Sequence, residues 1–176
     1  MINYKQFEQN VMTGMAKALG IKVIAANGSG DQPPYPFMTY KYVTPYKDKS
    51  PMPIEKYVPT ADTLEVHAQK QVEMTLSFTC CHKDQREALQ IANQARQWVV
   101  GQARQGLRDN GIVVVSAGDT QERNALFEFA YEYRAGYDAK FRVIDSFTYT
   151  HSEWIEKTKV SEEVIPDGVR RRYSYY

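Results

Sequence analysis

Apolar residues near the start of the chain recur at helical spacing. Tyr4, Phe7, Val11, Met15, Ala18 and Leu19 fall on one stripe, which predicts an amphipathic helix of about four to five turns. Asn3 stands where an N-cap belongs, with Gln6 three residues on as its capping-box partner, and Gly20 is the C-terminal stop. A short apolar run, 21–26, leads into a breaker-rich loop over 27–36. Gly28-Ser29-Gly30 is not a phosphate loop, because Asp31, Gln32, Pro33 and Pro34 follow it where a helix and a lysine are required. Residues 37–44 read as a strand with Met38, Tyr40 and Tyr42 on one face. Residues 45–59, rich in proline and charge and poor in periodicity, read as a long exposed loop.

The longest pattern runs over 65–81. Val66, Ala68, Val72, Met74, Leu76, Phe78 and Cys80 alternate with Glu65, His67, Gln69, Gln71, Glu73, Thr75, Ser77 and Thr79. This predicts an extended strand or a hairpin with one dry and one wet face. Asp84 caps a second helix, with Glu87 completing the box. Ala88, Ile91, Ala92, Ala95, Trp98, Val99 and Leu107 form its apolar face, and it ends near Asp109, before Asn110-Gly111. A buried-type strand over 112–115 and a polar turn over 117–122 follow. Alternation then runs through Ala125, Phe127, Phe129, Tyr131 and Tyr133, and again through Tyr137, Ala139, Phe141 and Val143. This predicts a hairpin turning at Ala135-Gly136. From His151 to Tyr176 the chain is polar and irregular, an arm ordered by a partner. The order of elements gives an α+β fold: a mostly antiparallel sheet with two helices on one face. Residues 1–150 form one domain and 151–176 an extension.

Composition sharpens this picture in three places. Lysine and arginine number 22 and aspartate and glutamate 21, a net charge of +1, so the basic excess of a nucleic-acid coat is missing. No run approaches the roughly 18–20 apolar residues of a membrane span. Tyrosine occurs 13 times, a residue suited to interfaces where one end of the ring is dry and the other wet.

Chemistry is sparse. The histidines are His67, His82 and His151, and the cysteines are the neighbours Cys80 and Cys81. Adjacent strand residues point to opposite faces, and no second ligand pair exists, so Cys80-Cys81-His82 is not a metal site. Cys81 beside His82, near a helix N-terminus, leaves a small cysteine enzyme as a rival reading. No nucleophile elbow or dinucleotide fingerprint is present.

Four blocks are similar to a known family. They are the first helix with Gln32-Pro33-Pro34-Tyr35-Pro36-Phe37-Met38-Thr39-Tyr40, and the alternating strand that runs into the helix at Asp84. The strand over 111–116 with its polar turn is the third, and the segment from Tyr131 to Phe141, with its aromatic-Arg-x-Gly-aromatic-Asp pattern, is the fourth. Over residues 1–150 the chain resembles the neck and tail terminator proteins of long-tailed bacteriophages.

That resemblance implies an α+β sandwich that assembles as a ring, typically hexameric, on the completed tail tube. The ring stops tube polymerisation, meets the neck proteins of the head and lets DNA pass without gripping it. It implies a place in the virion neck, reached from the host cytoplasm during assembly, and no catalytic residue, cofactor or metal. A head-closure or adaptor protein is the neighbouring alternative. The residues expected at subunit or partner contacts are Tyr40 and Tyr42, Gln69, Gln71 and Thr75 on the long strand, and Arg170, Arg171 and Arg172 in the arm.

Overall fold

The computed structural model describes residues 1–28, 30–60, 63–127 and 130–151. Helix α1 covers residues 4–19. It opens where Asn3 Oδ1 accepts from the Gln6 backbone N–H at 3.0 Å and closes at Gly20, whose φ of 67° is left-handed. Four strands follow: Lys22–Ala25 (β1), Phe37–Asp48 (β2), Ile54–Pro59 (β3) and Leu64–His82 (β4). Helix α2 covers residues 85–109, and Asp84 Oδ1 accepts from the N–H groups of Arg86 and Glu87 at 2.9 and 3.1 Å. Both helices contain a π turn, Gln9–Thr13 and Trp98–Gln102. The chain then forms Val113–Ala117 (β5), Gln121–Glu122 (β6), Ala125–Phe127 (β7) and Ala130–His151 (β8).

The result is α+β, as the pattern predicts. The main sheet runs β1-β2-β4-β8-β5, with β3 also on β4 and β6 and β7 also on β8. β1 is parallel to β2 and the other pairs are antiparallel. Even-numbered β4 residues from Val72 to Cys80 form one core with Tyr137 and Phe141 of β8, Phe7, Val11 and Met15 of α1, and Ala88, Ala92, Ala95 and Val99 of α2. Both helices therefore cover the same face. Small alanines on α2 bring its axis close to the sheet, while larger residues fill the space from the strand side.

Two expectations fail. Residues 45–59 are not a loop: β2 continues to Asp48, and after a short break β3 pairs with Leu64–Gln69 on the same edge of β4. Pro45 is tolerated because it lies between register shifts, where the ladder is already interrupted, and Pro59 ends an edge strand. Nor is Ala135-Gly136 a turn. β8 runs through it without a break, and the strand reversal comes earlier, where Phe127 pairs with Ala130. Glycine is required at 136 for a different reason. A Cβ there would lie 2.2 Å from the Phe78 carbonyl oxygen and 2.9 Å from Thr79 Oγ1, so β4 passes where a side chain would stand. The arm from residue 152 onward, with Arg170, Arg171 and Arg172, lies outside the described residues.

Two alanine substitutions separate these glycine roles. Gly136→Ala forces β4 and β8 apart and is expected to cost about 3 kcal/mol, the upper part of the range for overpacking. Gly106→Ala lies in α2 with open space around it and is expected to gain about 0.5–1 kcal/mol from helix propensity. Urea unfolding of the two variants reads both signs.

Candidate assembly surface

Strand alternation places the odd residues of β4 on the face away from the helices. At one end of this face the chain builds a charged lattice. Glu73 receives Lys49 Nζ at 2.9 Å and Arg142 at 3.5 Å. Arg123 donates to Ser77 Oγ at 2.5 Å and to Asp138 Oδ1 at 2.9 Å, and its own N–H donates to the Arg134 carbonyl at 2.6 Å. It thus clasps the link between β6 and β7 onto the sheet. Glu132, almost fully buried, accepts from Arg134 Nε at 2.6 Å and from the Tyr35 hydroxyl at 2.7 Å. Gln32 Nε2 donates to Tyr35 at 2.8 Å. The loop before β2 is pinned to β8 in this way, and together they wall an open cleft of about 720 Å³.

All three carboxylates are held below their ordinary range. For Glu73 the Lys49 hydrogen bond is the largest cause, with Arg142 adding to it against the cost of burial. Burial opposes the charge of Glu132, yet hydrogen bonds from Arg134, Tyr35 and Cys81 prevail. Burial likewise opposes Asp138, where Ser77 and Arg123 prevail.

The same cleft decides the chemistry of Cys81. Burial, then its hydrogen bond to Glu132, pushes its thiol up to about 12, so it is not a thiolate near neutral pH. His82 Nδ1 lies 2.9 Å from the Asp84 N–H, which donates to it. That contact belongs to the turn into α2, and strand alternation points the imidazole away from Cys81. The cysteine–histidine couple does not form. Among the described residues no group of three metal-ligating side chains converges, and no helix is long and apolar enough to cross a membrane.

Beyond the helices, the sheet continues as three strands: β3, the first part of β4, and the last part of β8. None of residues 54–70 or 144–151 joins the helix-covered core among the described residues. One face of this flap carries a strap. The hydroxyls of Tyr57 and Tyr149 both donate to Glu55, the latter at 2.7 Å. Glu55 lies opposite Ala68, and Tyr149 lies opposite Val66. The Tyr149 hydrogen bond therefore crosses β4 above a methyl group, where a larger residue would block it. The other face presents Lys56, Glu65, His67, Gln69, Gln71, Ser146, Thr148 and Thr150. Ile54 and Ile144 are 78% and 58% exposed on it.

The contact residues expected from the sequence fall in different places. Gln69 and Gln71 are exposed on the helix-free face of the flap. Thr75 is half-buried farther along the same face, between Thr44 and Lys140. Tyr40 and Tyr42 lie on the opposite face, half-buried against the core. The Tyr42 hydroxyl donates to Glu8 of α1 at 3.1 Å, and its ring meets Tyr4 edge-on at 5.7 Å. These two tyrosines hold α1 on the sheet. Sequence reasoning missed Ile54, Glu55, Tyr57 and Tyr149. The short alternation of Ile54, Lys56 and Val58 with Glu55 and Tyr57 carried the signal, hidden by the prolines around it.

Residues 4–168 match the family model described as "Phage neck terminator protein". No curated protein matches the chain.

Replacing Glu73 by Gln leaves Lys49 and Arg142 facing a neutral amide. The expected cost at pH 7 is about 1–2 kcal/mol, between exposed and buried ion pairs. Because the folded carboxyl titrates below its unfolded value, this contribution is complete above the ordinary glutamate pKa and is lost as pH falls through the lower folded value. The stability gap between the native chain and Glu73→Gln should therefore close below about pH 4. An equal gap at pH 7 and pH 3 in urea titrations would contradict the assignment.

Proposed function

The chain belongs to the phage neck terminator family, and we propose that it acts there as a ring seated on the end of the tail tube. Membership gives it a structural role in the tail or neck of a tailed phage, in contact with other tail and head proteins. Within that role, the ring blocks further addition of tube subunits, presents its far side to the neck proteins of the head, and leaves a lumen for DNA. Six copies is the expected number. The work is done by complementary surfaces without a catalytic step, cofactor or metal, in a particle assembled in the host cytoplasm.

One observation carries this reading: the sheet outgrows its helical cover. No described residue of the three-stranded flap joins the helix-packed core; its buried residues, Val66 and Ala68, lie on the face of the Tyr57, Tyr149 and Glu55 strap. Its helix-free face is mostly small or uncharged: Gln69, Gln71, Ser146, Thr148 and Thr150. A wall of hydroxyls and amides, with Lys56 and Glu65 balancing one another, passes a polyanion without the phosphate pairing that would hold it. We place Gln69 and Gln71 on that wall and Thr75 at its helix-covered end. Arg170, Arg171 and Arg172 are assigned to an acidic partner surface.

Mixing the purified chain with assembling tail-tube subunits and measuring tube lengths by negative-stain electron microscopy tests the proposal. Shorter tubes bearing a cap of density at one end are expected. Unchanged lengths and bare ends would overturn capping and move attention to a head-side adaptor position.

A further inference from the structure

We infer that neighbouring copies are joined by main-chain strand pairing, with the outer edge of β3 in one copy meeting the outer edge of β8, residues 143–151, in the next. The inference rests on the ring reading and specifies its seam.

Both edges lack a strand partner among the described residues. β3 pairs only with β4, and β8 beyond Arg142 also pairs only with β4. Backbone N–H and C=O groups along such edges are ready-made templates for another strand. The two edges lie on opposite sides of one three-stranded flap, so a contact between them is head-to-tail and repeats around a ring. β3 and β8 are each antiparallel to β4 and so run in the same direction. Rotation about an axis along the strands brings β8 of one copy beside β3 of the next in parallel.

Side chains mark the same seam. Ile54 on β3 is level with Gln69 and Ser146, and Ile144 stands opposite Gln71, one same-face step along. Both isoleucines are on the helix-free face, at nearly equal height on opposite edges, and both are largely exposed in the single chain. Copy-to-copy pairing buries each against the other.

The other edges are shorter, or their ladders are interrupted. β1 has four residues; β5 has five and a register shift between Val114 and Ser116; β2 beyond its pairing with β1, which ends at Tyr40, is bulged twice and bears Lys41, Lys47 and Asp48. The β8 edge has an unshifted register and one ionised side chain, Asp145. Among the described residues, the Met1 amino group donates to the Ser146 carbonyl and pairs with the Asp145 carboxylate at 3.5 Å, and the Tyr46 hydroxyl donates to Asp145 at 3.1 Å. β3 is likewise unshifted through all six residues; it carries Glu55 and Lys56, and Pro59 closes it at its last position.

Amide hydrogen exchange on the free full chain and on the chain bound at tube ends provides the test. Exchange over 54–59 and 143–151 should slow at least about tenfold on assembly, because edge amides open at almost no free-energy cost in the free chain. Exchange over Val113–Ala117 and Lys22–Ala25 should stay unchanged. Ile144→Lys, an exposed position, should leave the free chain folded and weaken assembly about tenfold. Assembly without added protection on the two edges would overturn the seam and leave the ring standing. Strong protection already present in the free chain would mean that its own residues, 152–176 included, cover the edge, and would also overturn it. Failure to assemble on any tube end would remove the ring reading and the seam together.

Discussion

Everything in this molecule is arranged around the pairing of β4 with β8. All 19 residues of β4 pair with β8 in a single register, from Leu64 with His151 to His82 with Tyr133. A strand of that length reaches roughly 60 Å. Helix α2, laid straight along it, covers roughly 38 Å, and α1 less. The ladder is therefore longer than anything the chain can pack against it. One end becomes a two-layer core and the other remains a sheet. Gly136 belongs to the same constraint. It lets β8 pass β4 closely enough, at Phe78 and Thr79, for the register to continue into the core.

Charge follows this division. Where the sheet is backed by helices, its other face carries carboxylates bracketed by cations: Glu73 between Lys49 and Arg142, Asp138 under Arg123, Glu132 against Arg134. Hydrogen bonds from the cations and from the neutral Ser77, Tyr35 and Cys81 hold these acids low, and the pairs fasten the loop before β2 and the β6–β7 link to strands that would otherwise be bare. On the flap, hydroxyls and amides replace these pairs. Cys81 is absorbed into the fastening through Glu132, and burial pushes its thiol up to about 12.

Much of the fold was legible because the residues that build it obey one period at a time. The stripe from Tyr4 to Leu19, the caps at Asn3 and Asp84 and the alternation from Val66 to Cys80 each have a single local meaning, and the structure keeps them. The failures share a cause. Proline at 45 and 59 and glycine at 136 are turn residues by local rules, but tertiary context gave them other work: at ladder irregularities, at a strand end and at a close strand crossing. Alternation places Tyr40 and Tyr42 on one face, and the structure adds that α1 packs there, with the Tyr42 hydroxyl donating to Glu8. Family membership was readable from the order of elements and the Tyr131–Phe141 segment. The flap was not, since its third strand, β3, looked like loop.

In the proposed ring the flap is the lumen-facing, subunit-joining part of the molecule. A cryo-electron microscopy reconstruction of tube ends bearing the bound chain tests this most directly. A closed wall of strands around the channel is expected, with Gln69, Ser146, Thr148 and Thr150 facing inward and α1 and α2 on the outside. A channel lined by the helices, with the flap directed away from the axis, would contradict it.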